Sequence, residues 1–256
     1  MSLEYNNIKI DGKVRISPSS IYGLFDNPAK WYKSTILGQK DPINENLVIG
    51  AMIHSRIEDF YNGNEVDTDK EFDYLQQFVR LPEINEWNIG EVVHHTWKAV
   101  EEFLKSETKK PDSMEQSLIY EPISNADVFI GGTYDYLTGD TIGDYKTCTT
   151  LPKAISSHHK LQVLLYAWML RQQGKVVNNI EITYISKWKA GTISPKTKNV
   201  IGSKKPEVIV IKEPIKEEDI SFVLDQVKNL GKRISMCKQD PSLVDVLFYV
   251  NPLSKY

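Results

Sequence analysis

Between residues 115 and 147 the chain runs in short apolar and aromatic stretches broken by polar turns. "EQSLIYEPI", "DVFIGGTYDYL" and "TIGDYKT" are rich in β-branched and aromatic residues, with "TGD" between the last two. This pattern predicts three strands, the last two paired as a hairpin. Before them the period is helical. "SPSSIYGLFDNPAKWYKSTILG" opens on a cap-and-proline signal, "NLVIGAMIHSRIEDFYNG" predicts a helix over 47–61 closed by Asn62-Gly63, and 70–106 reads as helical with a break near 81–82. After the hairpin, "AISSHHKLQVLLYAWMLRQQG" predicts an amphipathic helix ended by Gly174, with Leu161, Leu164, Leu165 and Trp168 as its buried stripe. "IEITYIS" and "EVIVI" predict two more strands, and "EEDISFVLDQVKNLGKRIS" a closing helix. The order implies an α/β or α+β fold, a central mixed sheet flanked by helices. We expect a single domain over 1–256, with a mainly helical region over 1–110 and the sheet core with its closing helix over 111–256.

Composition narrows the class. A chain of 256 residues with 41% hydrophobic and 25% charged residues is that of a globular protein. The net charge of -3 carries no overall basic signal for nucleic acid, yet a local basic groove is compatible with it. The two cysteines, Cys148 and Cys237, are far apart and in no ligand-like spacing. A disulfide framework, a zinc knuckle and an iron-sulphur cluster are therefore not expected. Nor is a signal peptide or a membrane span, and the expected location is cytoplasmic.

The candidate chemistry lies on the hairpin. Asp144 and Lys146 are two apart on a strand and project to one face, while Tyr145 points away. With an even-length loop, either Thr138-Gly139 or 138–141, Asp135 falls opposite Ile142 or Asp144, on the same face as Asp144. Two carboxylates about 5 Å apart repel by roughly 3 kcal/mol at an effective dielectric near 20. An exposed Asp–Lys pair returns only about 0.2–1 kcal/mol. A divalent cation offsets the repulsion better, and oxygen ligands suit Mg²⁺ or Mn²⁺. Two solvated aspartates on an exposed face are the alternative. Three further features point to the same place. His54 and Glu58 stand at i and i+4 on one helix face. Glu115 begins the strand before the hairpin, with Glu121 as a rival of equal parity. Gln162 and Tyr166 form an i, i+4 pair at the border of the leucine stripe. Each also has a structural reading, as a core histidine, a solvated acid or the polar edge of a helix.

Taken together these stretches resemble the PD-(D/E)XK nuclease superfamily, specifically its RecB-like exonuclease branch, over about 16–166. "SPSSIYGLFDNPAKWY" is similar to its N-terminal helical signature, "GAMIHSRIEDF" to its G-x-x-x-H helix, "GGTYDYL" to its G-x-x-D strand, "GDYKT" to its D-x-K strand and "QVLLY" to its Q-x-x-x-Y helix. The resemblance implies a restriction-endonuclease-like αβββαβ core. It implies His54, Asp135, Asp144 and the Tyr145 carbonyl as ligands of one or two Mg²⁺ or Mn²⁺ ions, with Lys146 catalytic and Glu115 assisting. It implies Gln162 and Tyr166 on the substrate side, and DNA as substrate, in recombination, repair or phage DNA processing. A homo-oligomer or a recombination partner protein is compatible with it. Some relatives carry an iron-sulphur cysteine where this chain has Asn27, and no iron-sulphur cluster is expected here. The loop over 186–206 carries Lys187, Lys189, Lys196, Lys198, Lys204 and Lys205 with no acidic residue, and Trp188 adds an aromatic ring. Backbone contact and base stacking with DNA are the expectation, a solvated loop the alternative. Two other functions compete: an endonuclease, structure-specific or of the restriction type, and a non-catalytic DNA-binding module on the same fold. Absence of an H-E-x-x-H motif speaks against a zinc hydrolase.

Overall fold

A computed structural model of the protein describes residues 12–39, 41–76, 86–107, 110–121, 127–193 and 200–249. Strand β1 (Val14–Ile16) leads into a 3-10 turn (Pro18–Ser20) and helices α1 (Gly23–Asp26), α2 (Pro28–Thr35), α3 (Glu45–Asn62), α4 (Thr68–Gln76) and α5 (Glu86–Ser106). Then come β2 (Ser113–Tyr120), β3 (Val128–Thr138), β4 (Thr141–Cys148), α6 (Ser157–Gln172) and β5 (Asn179–Ser186). A small hairpin, β6 (Thr192–Ile193) with β7 (Val200–Ile201), precedes β8 (Val208–Pro214), α7 (Glu217–Gln239) and α8 (Val244–Phe248). The predicted break near 81–82 lies outside the described residues.

A mixed sheet of six strands organises the chain, with β1, β3, β4, β5 and β8 in that order and β2 on β3. Strands β3 and β4 pair only at 136–138 with 141–143, around a two-residue turn, Gly139–Asp140. The register is that of the 138–141 alternative, with Asp135 opposite Asp144, and the turn closes one residue on from Thr138-Gly139. Gly139 takes φ +60° at the first turn position, which fits a tight hairpin and strains any other residue. Beyond Tyr136 and Gly143 the two strands part. The freed side of β3 pairs in parallel with β1 at 128–130, while β4 continues in parallel with β5 over 141–148. The sheet therefore forks where Asp135 and Asp144 stand opposite each other in register. On the other side of β3, Glu115 in β2 has φ +47°, and Tyr134 and Tyr136, two residues apart, sit in different cores. The inside–outside alternation breaks at Asp135.

Two apolar cores lie on the two faces. One packs α6, α7 and the N-terminal turn against β3–β5, and the other packs α3 and α5 around Tyr136, Tyr145 and Ile185. Asn44 starts α3 by accepting the Leu47 N–H at 3.1 Å, and Gly63, at φ +74°, ends it. Its buried stripe is Val48, Ile49, Met52, Ile53, Arg56 and Ile57. Arg56 reaches Glu71 through two hydrogen bonds of 2.5 and 2.7 Å, fastening α4 to α3. Gly50 lets α3 approach β4, since a Cβ there would come 3.3 Å from Thr147 Oγ1. Helix α6 departs from the one-stripe expectation. Gln162, Val163, Leu164, Leu165, Tyr166, Ala167, Met169 and Leu170 are all buried, whereas Leu161 and Trp168 are only half-buried. It is packed by the sheet, by α7 and by the 3-10 turn at once, so one apolar face is too few.

Candidate metal centre

The fork leaves backbone groups without ladder partners, and side chains take their place. The Tyr145 N–H donates to Asp135 Oδ2 at 2.7 Å, and Arg15 Nε donates to the Gly131 carbonyl at 3.0 Å. Helix α3 brings His54 to the same point. One ring nitrogen, Nε2, lies 2.8 Å from the Tyr145 carbonyl and the other, Nδ1, lies 3.5 Å from Asp135 Oδ2. A carbonyl only accepts, so Nε2 carries a proton, and in the neutral imidazole Nδ1 is the nitrogen whose lone pair lies beside Asp135. In this arrangement the Tyr145 carbonyl orients the histidine. Ligand atoms of His54, Glu115 and Asp135 all lie within 4.8 Å of one another.

Asp144 is 1% exposed. Its Oδ1 accepts from Gln162 Nε2 at 2.9 Å, and Lys146 Nζ lies 2.6 Å from Oδ2. The ammonium approaches as an ion pair outside hydrogen-bonding angles, and Oδ2 has no hydrogen-bond partner among the described residues. The crowding of carboxylates raises proton affinity. Burial, then Asp135, Glu58 and Asp144, push Glu115 from an ordinary 4.5 up to about 8, against the pull of Lys146. Burial and Asp135 likewise raise Asp144. Burial pulls Lys146 down, but Asp144 and Asp135 outweigh it and hold the ammonium above its ordinary value. Lys146 is thus charged in the metal-free protein.

These donors fit a hard divalent cation. An imidazole nitrogen and carboxylate oxygens are its ligand chemistry, and its two positive charges would replace the proton that Glu115 otherwise retains. A pH dependence follows. Because folding raises the Glu115 pKa, the native state holds more protons than the unfolded chain between about 4.5 and 8. Stability falls as pH rises through that window. In chelator, the urea midpoint should drop from pH 5.5 to 8.5, and Glu115→Gln should flatten this slope. Equal slopes for the two proteins would contradict it.

Of the other predicted residues, Gln162 is 6% and Tyr166 3% exposed, more deeply buried than a helix border implies. Tyr166 lies over Gly132, where a Cβ would stand 2.5 Å from its hydroxyl. Gly132 is therefore what lets α6 approach β3. Glu121, the rival of Glu115, pairs with Lys13 at 2.5 Å, away from this group. Lys187 and Trp188 leave the sheet just past Ser186, whose register partner Cys148 is two residues beyond Lys146. Lys187 donates to Asn46, and Lys189 bridges Lys204 across the base of the β6–β7 hairpin. Trp188 stacks on His95 at 4.4 Å and packs into the second core, so its ring is a wall of the fold. Lys196 and Lys198 lie outside the described residues. Sequence reasoning missed a cavity of about 560 Å³ beside Gln162 and Tyr166, lined by Arg15, Ser17, Ser20 and Thr133 among others. Its signal was the hydroxyl-rich "RISPSS" run, which reads first as a helix start.

The family model described as the PD-(D/E)XK nuclease superfamily matches residues 15–242. The chain belongs to that superfamily. No curated protein matches it. Among solved structures it is similar to SSO0001, with 17% identity, a TM-score of 0.31, and coverage of 79% of this chain and 84% of that one. It is also similar to LHK-Exo in complex with dAMP, with 11% identity, a TM-score of 0.44, and coverage of 91% and 95%. A phage related exonuclease from Haemophilus somnus 129PT gives 13% identity, a TM-score of 0.35, and coverage of 88% and 96%. Among the described residues no helix is long and apolar enough to cross a membrane.

Proposed function

We propose that this protein is a divalent-metal-dependent deoxyribonuclease that works from DNA ends, in the manner of the RecB-like exonucleases. The observation that carries this reading is the meeting of His54, Glu115 and Asp135 beside the Asp144–Lys146 pair, at the fork of the sheet. His54 Nδ1, Glu115 and Asp135 would hold a Mg²⁺ or Mn²⁺ ion, with Asp144 alongside. The chemistry such an ion supplies is polarisation of a phosphate oxygen and a lowered pKa for water.

The chain's own residues do the rest. Gln162 fixes the Asp144 carboxylate by donating to Oδ1, and Asp135 holds the catalytic strand by accepting the Tyr145 N–H. Lys146 keeps its ammonium in the site because the two aspartates stabilise its charge. It orients the attacking water and offsets negative charge as the phosphorus becomes five-coordinate. The hydroxyl-lined cavity supports end dependence. Arg15, Ser17, Ser20 and Thr133 line it with a guanidinium and hydroxyl groups and no carboxylate, surroundings that suit a terminal phosphate. Lys187 and Lys189 emerge at the end of the sheet that Lys146 occupies, which supports backbone contact there.

The test is digestion of end-labelled linear DNA, single- and double-stranded, against closed circular DNA with Mg²⁺ or Mn²⁺. Linear substrate should be degraded and circles spared, and Arg15→Gln should slow digestion of phosphorylated ends. Cutting of circles at a comparable rate would make this an endonuclease. No cutting of either would leave a DNA-binding module.

A further inference from the structure

Tyr145 stands between Asp144 and Lys146 in sequence but faces the opposite side of the sheet. Its ring lines a second cavity, of about 390 Å³, bounded by the β3–β4 hairpin, β5, β8 and helices α3 and α5. Tyr61, Phe103 and Tyr136 complete an aromatic wall. The Tyr136 and Tyr145 rings lie 4.7 Å apart, tilted by 40°. At the polar end stands Glu181, whose Oε1 accepts the Tyr136 hydroxyl at 2.7 Å. Lys212, exposed at the mouth, is the register partner of Glu181 on β8. Two more carboxylates, Glu107 and Asp140, line the cavity, and Lys110 is held just outside by the Tyr61 carbonyl at 2.7 Å.

We propose that this cavity binds an organic cation, an alkylammonium or guanidinium group, with its charge against Glu181 and its apolar body against the tyrosine rings. Aromatic faces attract cations through their quadrupole and repel anions. A carboxylate set in an aromatic wall is best matched by a weakly hydrated donor, and a planar guanidinium also stacks on the rings. Three carboxylates against one lining ammonium disfavour a phosphate-bearing ligand. The volume lies within the roughly 300–1,000 Å³ of small-ligand pockets. The catalytic carboxylates play no part, since they face the other side of β4. The same chemistry comes from two sources, a free polyamine or guanidino compound and an arginine or lysine side chain of a partner protein.

The test is calorimetric titration of the full chain, in chelator and without DNA, with agmatine, spermidine and an acetylated, amidated Gly-Arg-Gly peptide. At least one should bind saturably, and the tighter class identifies the source. Glu181→Gln should weaken that binding about tenfold. Lys212→Ala should tighten it about threefold or more by removing the competing ammonium, a gain that misfolding does not produce. Glu218→Gln, which alters an exposed carboxylate on α7, a helix of the core on the other face, should leave it unchanged. The proposal is overturned if none of the three probes binds saturably, if Glu181→Gln binds as well as the wild type, or if Glu218→Gln abolishes binding. As neither DNA nor metal is present, a negative result leaves the nuclease reading standing.

Discussion

Lys146→Ala is expected to cleave DNA at least about 10³-fold more slowly than the wild type while binding Mn²⁺ no less tightly. The two halves of this expectation come from the same geometry. The ammonium is 2.6 Å from Asp144 Oδ2 and is retained by Asp144 and Asp135, so in the proposed mechanism it would be a fixed positive charge beside the reacting phosphate. Alanine removes that charge from the transition state. It also removes a cation that competes with the metal for the same carboxylates, so metal affinity holds or rises. The variant carries a structural cost. Asp144 is left buried with Gln162 as its remaining hydrogen-bond donor, and stripping one partner from a buried ion pair costs about 3–5 kcal/mol unless the survivor takes up a proton. The metal-free variant should therefore melt lower than the wild type, and Mn²⁺ should restore much of the difference. Metal titration and cleavage measured on one sample separate lost chemistry from lost fold. Cleavage within tenfold of wild type by a variant that binds Mn²⁺ normally would remove Lys146 from the mechanism.

How much of this was readable beforehand differs by element. The hairpin was legible because its turn chemistry and strand pattern are local, and a loop of even length was enough to put Asp135 and Asp144 on one face. The end of α3 was legible because Gly63 marks it, whereas its start at Glu45, capped by Asn44, lies two residues before the expected one. Strand β1 was not. It has three residues, and its partner in β3 lies 114 positions away, a pairing that no local signal specifies. Glu115 drew attention through parity, yet what distinguishes it from Glu121 is a backbone at φ +47° opposite the break in β3, and only tertiary context produces that. Helix α6 was read as one stripe because periodicity reports a single buried face, whereas this helix is covered on three. Trp188 was read as a free ring because loop residues default to solvent, and the His95 that covers it belongs to a distant helix. Local rules thus recovered which residues share a strand or helix, and missed what those elements lean on.

Gly143→Ala is expected to destabilise the protein by about 3 kcal/mol or more, the upper end of what overpacking costs. Gly143 is the register partner of Tyr136, and the Tyr136 ring lies over it where a Cβ would overlap the ring atoms. The ring has nowhere to go. Its hydroxyl is held by Glu181 at 2.7 Å and by Thr183 at 3.1 Å, its face meets Tyr145, and it is only 4% exposed. A methyl group here must break those hydrogen bonds or push β3 and β4 apart. For a chain of this size the melting temperature should fall by about 6–12 °C. Tyr136→Leu in the Gly143→Ala background should recover part of the loss, because the double variant removes the clash that makes the single one costly. A Gly143→Ala protein melting within about 2 °C of wild type would show that the ring moves freely. The position also bears on the site. Gly143 precedes Asp144, and the fork opens at this pair, so forcing the strands apart here displaces Asp135 from Asp144. Cleavage by the folded fraction of Gly143→Ala should fall along with stability, whereas an overpacked residue remote from the fork would lower stability alone.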